Sequence, residues 1–267
     1  MFRSFEAFSD PSSNLDRCVV VCDGYKVKPE NRFRSGQVTE ECATKYEEFV
    51  RRLRLLAFGK MVRCADRMGF GFALKTALEH VRTPYVIVVQ HDRNFVRAVE
   101  VERLVRAMEA NAGWLKYLGL PTTTTMHHAR HVVSKYNIRV EPRALDSEST
   151  DQVVPLVQWY DSTHICETRH YREFVYRGDL VKKGGFVEDK LGQRQLADIR
   201  DGGMAAHVPY GTFVLDDGLT QPMVSHLDSH DRLAYRKFSF VQRGKHDSDE
   251  DLMDRNISLP GQVLPDL

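Results

Sequence analysis

The chain has almost no surplus of charge: 38 Lys and Arg stand against 37 Asp and Glu over 267 residues, a formal net charge of +1. A protein that coats nucleic acid or lies on an anionic membrane needs a basic excess, so neither partner is expected. Long hydrophobic runs are also missing, and none approaches the roughly 18 residues a membrane span requires. The opening MFRSFEAFSDPSS lacks the continuous apolar stretch of a secretory signal. Cysteine is sparse and odd in number, five residues at 18, 22, 42, 64 and 166, with no CxxC spacing. Cys18 and Cys22 would share one face of a strand but lie about 13 Å apart, too far to bridge. Free buried thiols are expected, and with them a reducing, cytoplasmic location.

What is present is 42% hydrophobic residue, enough for a sizeable core. CVVVCDG (18–24) reads as a buried strand closed by an Asp-Gly turn. Thr39 predicts a helix cap, with Glu40 and Glu41 in the first turn and Tyr46, Phe49, Val50, Leu53 and Leu56 on one apolar face up to Gly59. MVRCA (61–65) predicts a strand, GFGFALKTALEHV (69–81) a helix entered through glycine, and YVIVVQ (85–90) the clearest strand of all. A helix over 99–113 and a strand over 114–120 follow. Apolar strands alternating with helices predict an α/β fold, a mainly parallel central sheet with helices on both faces.

Beyond residue 121 the pattern loosens. PTTTTMHHARHVVSKYNIRV is polar, 153–165 reads as a strand running into a loop, and 167–183 is partly helical. With no repeat and no linker, residues 1–244 are expected to form one domain. KHDSDEDLMDRNISLPGQVLPDL (245–267), acidic and then proline-bearing, is expected to be a peripheral tail.

In open parallel sheets, ligands bind beyond the carboxyl ends of the strands. Two acids fall there: Asp23, and Asp92 in Gln90-His91-Asp92. A carboxylate so placed can hold a divalent cation that neutralises a diphosphate. Equally, Asp23 can simply close a turn with Gly24, and Asp92 can cap the next helix. KKGGFVEDKLGQRQ (182–195) adds Glu188 and Asp189 after the paired glycines Gly184 and Gly185.

In this order the motifs resemble the GT-A fold of nucleotide-sugar-dependent glycosyltransferases, most closely the family 2 type, over residues 15–230. The resemblance implies that Asp23 and Gly24 contact the nucleotide, and that Gly69 and Gly71 line the donor-side helix entrance. Gln90, His91 and Asp92 take the place of the D-x-D motif, where Mn²⁺ or Mg²⁺ holds the donor diphosphate. Asp189 is implied as the base and Glu188 as its acceptor-positioning partner. His226 in VSHLDSHD is implied as a further metal ligand, and a histidine favours Mn²⁺.

The implied activity is inverting, metal-dependent transfer of a sugar from a nucleotide-diphospho-sugar to a hydroxyl on a glycan, a protein or a small molecule. Trp159, Tyr160, His164 and Gly185 are expected on the acceptor side, because sugars stack on aromatic faces and hydrogen-bond to polar neighbours; for 159–176 a plain amphipathic core element is the equal alternative, since Tyr171, Phe174 and Val175 keep helical spacing. A helix mouth suits the base, since its N–H groups and dipole keep a carboxylate ionised.

Two departures support an alternative, a GT-A-like protein that binds nucleotide or sugar without turnover. Gln90 stands where the first acid of D-x-D would be, and no strand precedes the one at residue 18. A missing upstream segment could carry that strand, or an anchor. A third option is a metal-dependent phosphohydrolase using Asp92 with His226 or His230. His127, His128 and His131 have the spacing of a zinc face, but without an acidic or cysteine ligand nearby a polar loop or a solvated helix is the expectation.

Overall fold

The computed structural model describes residues 2–9, 17–28, 37–56, 59–147 and 149–226. The expected tail at 245–267, and His230, lie outside the described residues. The fold is mixed α/β. Its main sheet has six strands in the order Tyr85–Val88, His164–Glu167, Tyr117–Gly119, Thr212–Asp216, Gln152–Pro155 and Arg143–Ala144. Alternation sends neighbouring residues of each strand to opposite faces. Val88, Tyr117, Cys166 and Val214 enter one core with Leu74, Trp159, Tyr171 and Leu191, whereas Leu118, Ile165, Phe213 and Leu215 enter a second core with Phe95, Leu104 and Met108. Helices cover both faces, as expected.

The expected parallel sheet is corrected. Only the pairing of Tyr117–Gly119 with Thr212–Asp216 is parallel; the other four ladders of this sheet are antiparallel. The cause lies in the segment whose pattern was loosest. His164–Glu167 inserts between Tyr85–Val88 and Tyr117–Gly119 and runs against both, so strands adjacent in sequence are not adjacent in space. Parallel pairing is retained by Val19–Cys22 with Lys60–Arg63, which form a separate two-stranded sheet.

Several expected elements are observed with shortened ends. Thr39 caps the helix Glu40–Leu55 by accepting from Cys42 N at 3.1 Å, and the next helices run Phe70–Leu78 and Val101–Ala110. All five cysteines are free, with Cys42 exposed. Among the described residues, no helix is long and apolar enough to cross a membrane.

Candidate functional site

The first strand delivers Asp23, but its carboxylate turns inward. Oδ1 accepts from Gly24 N at 2.9 Å and Met68 N at 2.6 Å, and Oδ2 accepts from Gly69 N at 2.8 Å. Asp23 therefore brackets the turn that opens the helix Phe70–Leu78. Gly24 lets this happen, since a Cβ there would sit 2.3 Å from the Asp66 carbonyl carbon.

At that helix entrance two backbones cross. Gly69 has φ +74° and Gly184 has φ +88°, and a Cβ on Gly69 would lie 2.5 Å from Gly184 Cα. Gly184 N donates to Met68 O at 2.6 Å and Gly71 N to Gly185 O at 3.1 Å, while Phe70 stacks on Phe186 with centroids 5.7 Å apart. Gly69, Gly71 and Gly185, expected to border donor and acceptor, instead form the contact between the two segments.

The second acidic position lies beyond Tyr85–Val88. Asp92 Oδ2 stands 3.0 Å from His226 Nε2, both groups half-buried. His226 ends the strand Val224–His226, which pairs antiparallel with Arg93–Phe95 and sets His226 opposite Arg93. Asp92 Oδ1 is buried without a hydrogen-bond partner among the described residues, and His91 is exposed. Gln90 faces the other way, its Nε2 donating to Asp161 O at 3.1 Å.

Asp161 connects this position to the Glu-Asp pair. Its N–H donates to Glu188 Oε2 at 3.0 Å, and Glu188 N–H donates to Asp161 Oδ2 at 3.1 Å, a reciprocal clasp between two loops. Asp161 Oδ1 accepts from Trp159 Nε1 at 3.2 Å. Burial is the main reason the Asp161 carboxyl is pushed up to about 7, with the Glu188 charge adding to the rise. Gly192 admits the same loop closely, because a Cβ there would meet Trp159 O at 2.8 Å.

Glu188–Gly192 is a π-helical turn leading into the helix Gln193–Gly202; such turns are rare and concentrate at functional sites. Glu188 is thereby occupied as a clasp, while Asp189 is exposed. Asp189 Oδ2 accepts from Phe186 N at 3.3 Å, reaching back three residues in the manner of a capping box.

Two expected acceptor-side residues are corrected. Trp159 is 1% exposed and His164 0%, because the strand His164–Glu167 lies in the middle of the sheet. His164 Nδ1 meets Ser162 O and its Nε2 meets Tyr171 OH, and burial pushes its imidazole down to about 4. Of the expected pair of aromatics, half-buried Tyr160 alone has room to face a ligand. The zinc face does not assemble either: His128 is buried against Tyr160, and His127 and His131 are exposed.

The sequence reading missed the clasp role of Asp161 and the position of Arg93. Arg93 adjoins Asp92 in QHDR, a signal that was available, whereas nothing local announces that Asp161 will meet Glu188. Two surface hollows of about 500 and 370 Å³ lie elsewhere, against the helix His128–Tyr136 and around Arg82, Thr168 and Arg172.

The residues fit Mn²⁺ or Mg²⁺ in a limited sense. Ligands about 2.1 Å from one ion and at right angles stand about 3.0 Å apart, the Asp92–His226 separation. Such ions are commonly held by one or two side chains, with phosphate and water completing the shell. No group of three or more His, Cys, Asp or Glu able to hold a metal occurs among the described residues. No family model matches the chain, and no curated protein matches it either.

Proposed function

We propose that the chain catalyses inverting transfer of a sugar from a nucleotide-diphospho-sugar to an acceptor hydroxyl, with Asp189 as base. The observation that carries this reading is the chain of hydrogen bonds from Gln90 to Asp161 to Glu188. It ties the exposed carboxylate of Asp189 to the strand end that bears Asp92 and His226. A GT-A architecture is part of the proposal. It rests on the shared direction of Tyr85–Val88, Tyr117–Gly119 and Thr212–Asp216, with one reversed strand between the first two, and on the acids beyond the carboxyl end of the first.

In the proposed reaction Asp189 takes the acceptor proton as the acceptor oxygen bonds to the anomeric carbon. The bond from that carbon to the diphosphate oxygen breaks, and its electron pair leaves with the nucleoside diphosphate. One Asp189 oxygen is oriented by Phe186 N, so the other is positioned to receive the proton. Asp92 and His226 would hold Mn²⁺ or Mg²⁺, which supplies Lewis-acid stabilisation of the leaving diphosphate. The Glu188–Asp161 clasp keeps the base on its loop.

A second reading, binding without turnover, is supported by Asp23, whose two oxygens are already engaged by three backbone N–H groups. Calorimetric titration with UDP and GDP, with and without Mn²⁺, followed by donor-hydrolysis and transfer assays, separates the two. Binding together with hydrolysis or transfer supports the enzyme, and binding alone supports the second reading. Hydrolysis of simple phosphate esters would overturn both in favour of a phosphohydrolase.

A further inference from the structure

We infer that Arg93 is the cationic member of an anion subsite beside Asp92 and His226 and that its anion is the diphosphate of the donor, an inference that rests on the glycosyl-transfer reading. Arg93 begins the strand Arg93–Phe95, directly across from His226 and next to Asp92. Its Nε is buried without a hydrogen-bond partner, and no carboxylate forms an ion pair with it among the described residues.

That is exceptional among the half-buried arginines of the described residues. The other half-buried arginines are provided for: Arg63 pairs with Glu47, Arg97 with Asp217 at 2.6 Å, and Arg103 with Glu100, Asp146 and Asp151. Arg67 donates to Gly184 O at 3.2 Å.

The acids whose charge reaches Arg93 are Asp92 and Glu188, and each has one oxygen turned to another partner. Asp92 Oδ2 faces His226, and Glu188 Oε2 accepts from Asp161 N. Burial meanwhile holds the guanidinium below its ordinary range. A half-buried cation without a hydrogen-bonded counter-charge is disfavoured, so an anion from outside would complete the arrangement.

The guanidinium fork binds phosphate or carboxylate oxygens in pairs, and the position of Arg93 favours phosphate. Arg93 also sits beside the two residues that would hold the cation, so one diphosphate can touch both.

The test uses the full chain. Inorganic pyrophosphate, UDP and GDP are titrated calorimetrically in EDTA and again in Mn²⁺. The unmutated chain is expected to retain pyrophosphate binding in EDTA, and Arg93→Gln to weaken it at least about thirtyfold, the equivalent of about 2 kcal/mol. Circular dichroism checks that the variant is folded. A folded Arg93→Gln that binds pyrophosphate as tightly as the unmutated chain overturns the assignment of Arg93 alone.

A chain that binds none of the three probes in either buffer overturns the glycosyl-transfer reading along with it. A second measurement needs no variant: pyrophosphate is expected to protect Arg93 from phenylglyoxal, read by mass spectrometry of the peptide that contains it. Undiminished modification overturns the assignment.

Discussion

Two groups of buried polar residues lie along the Gln90–Asp161–Glu188 chain, and they differ in how fully their hydrogen bonds are made. In the first, Trp159 Nε1 donates to Asp161, both nitrogens of His164 have partners, and Tyr117 OH donates to Tyr160 O at 2.8 Å, with Ser162 Oγ and Thr163 Oγ1 left over. In the second, Asp92 Oδ1, Arg93 Nε, Asn94 Oδ1 and Ser225 Oγ have no hydrogen-bond partner among the described residues. Buried polar groups are nearly always satisfied in folded proteins, so a concentration of exceptions marks a place where water, an ion or a ligand completes the structure. The first group holds the loop; Asp92 and Arg93 of the second lie at the proposed chemistry, with Asn94 and Ser225 on the opposite face of their strands. Substitutions in the first should therefore act on stability, and those at the proposed chemistry on binding and turnover.

The largest expected effect is catalytic. Asp189→Asn should lower the transfer rate about 10² to 10⁴-fold, the range for loss of a general base, with its thermal midpoint unchanged. A transfer rate that survived in this variant would end the base assignment. Next in size, Trp159→Ala should destabilise by about 3–5 kcal/mol through lost burial and a cavity, lowering the melting temperature by roughly 10 °C. Unaltered melting would mean that this cluster does not anchor the fold.

Asp161 offers a smaller test that depends on pH. Its folded-state pKa is raised, to about 7, so the folded chain binds its proton more tightly than the unfolded chain does. That contribution is fully present below the ordinary carboxyl value, near pH 4, and is lost as pH climbs towards 7. Denaturant titrations should find the stability advantage of the wild type over Asp161→Asn shrinking across this window. A constant difference would show that Asp161 titrates normally. Smallest of all, Ser225→Ala should alter stability by no more than about 0.5 kcal/mol, since the hydroxyl it removes has no partner to lose. A cost of 2 kcal/mol would place Ser225 in a complete network and blur the contrast.

The legible parts of the sequence were those specified locally. The strand beginning at Val19, the strand beginning at Tyr85 and the Thr39 cap each announce themselves within a few residues, through an apolar run or a side-chain hydrogen bond. Asp23 and Gly24 were also readable as a turn, one of the two roles open to them.

What escaped was set by long-range register. Nothing near His164 signals that its strand will slide between two others, so its burial, and that of Trp159, could not be read from an apparently loop-like WYDSTHI. The Asp161–Glu188 clasp joins residues 27 apart, and Gly69 meets Gly184 across a still longer separation. In each case the glycine or acid was noticed, but the partner that gives it a purpose was invisible.

The π-helical turn at Glu188–Gly192 has a consequence for how the neighbouring carboxylate is aimed. Such a turn holds one residue more than its α counterpart, and an α-helix rotates about 100° per residue. Losing a single residue there would restore ordinary pitch and swing Asp189 by roughly a quarter of a revolution relative to the anchored face of Leu196 and Ile199. The bearing of that carboxylate is thus fixed by counting as well as by chemistry, and a one-codon deletion within the turn would redirect it even with Asp189 itself retained.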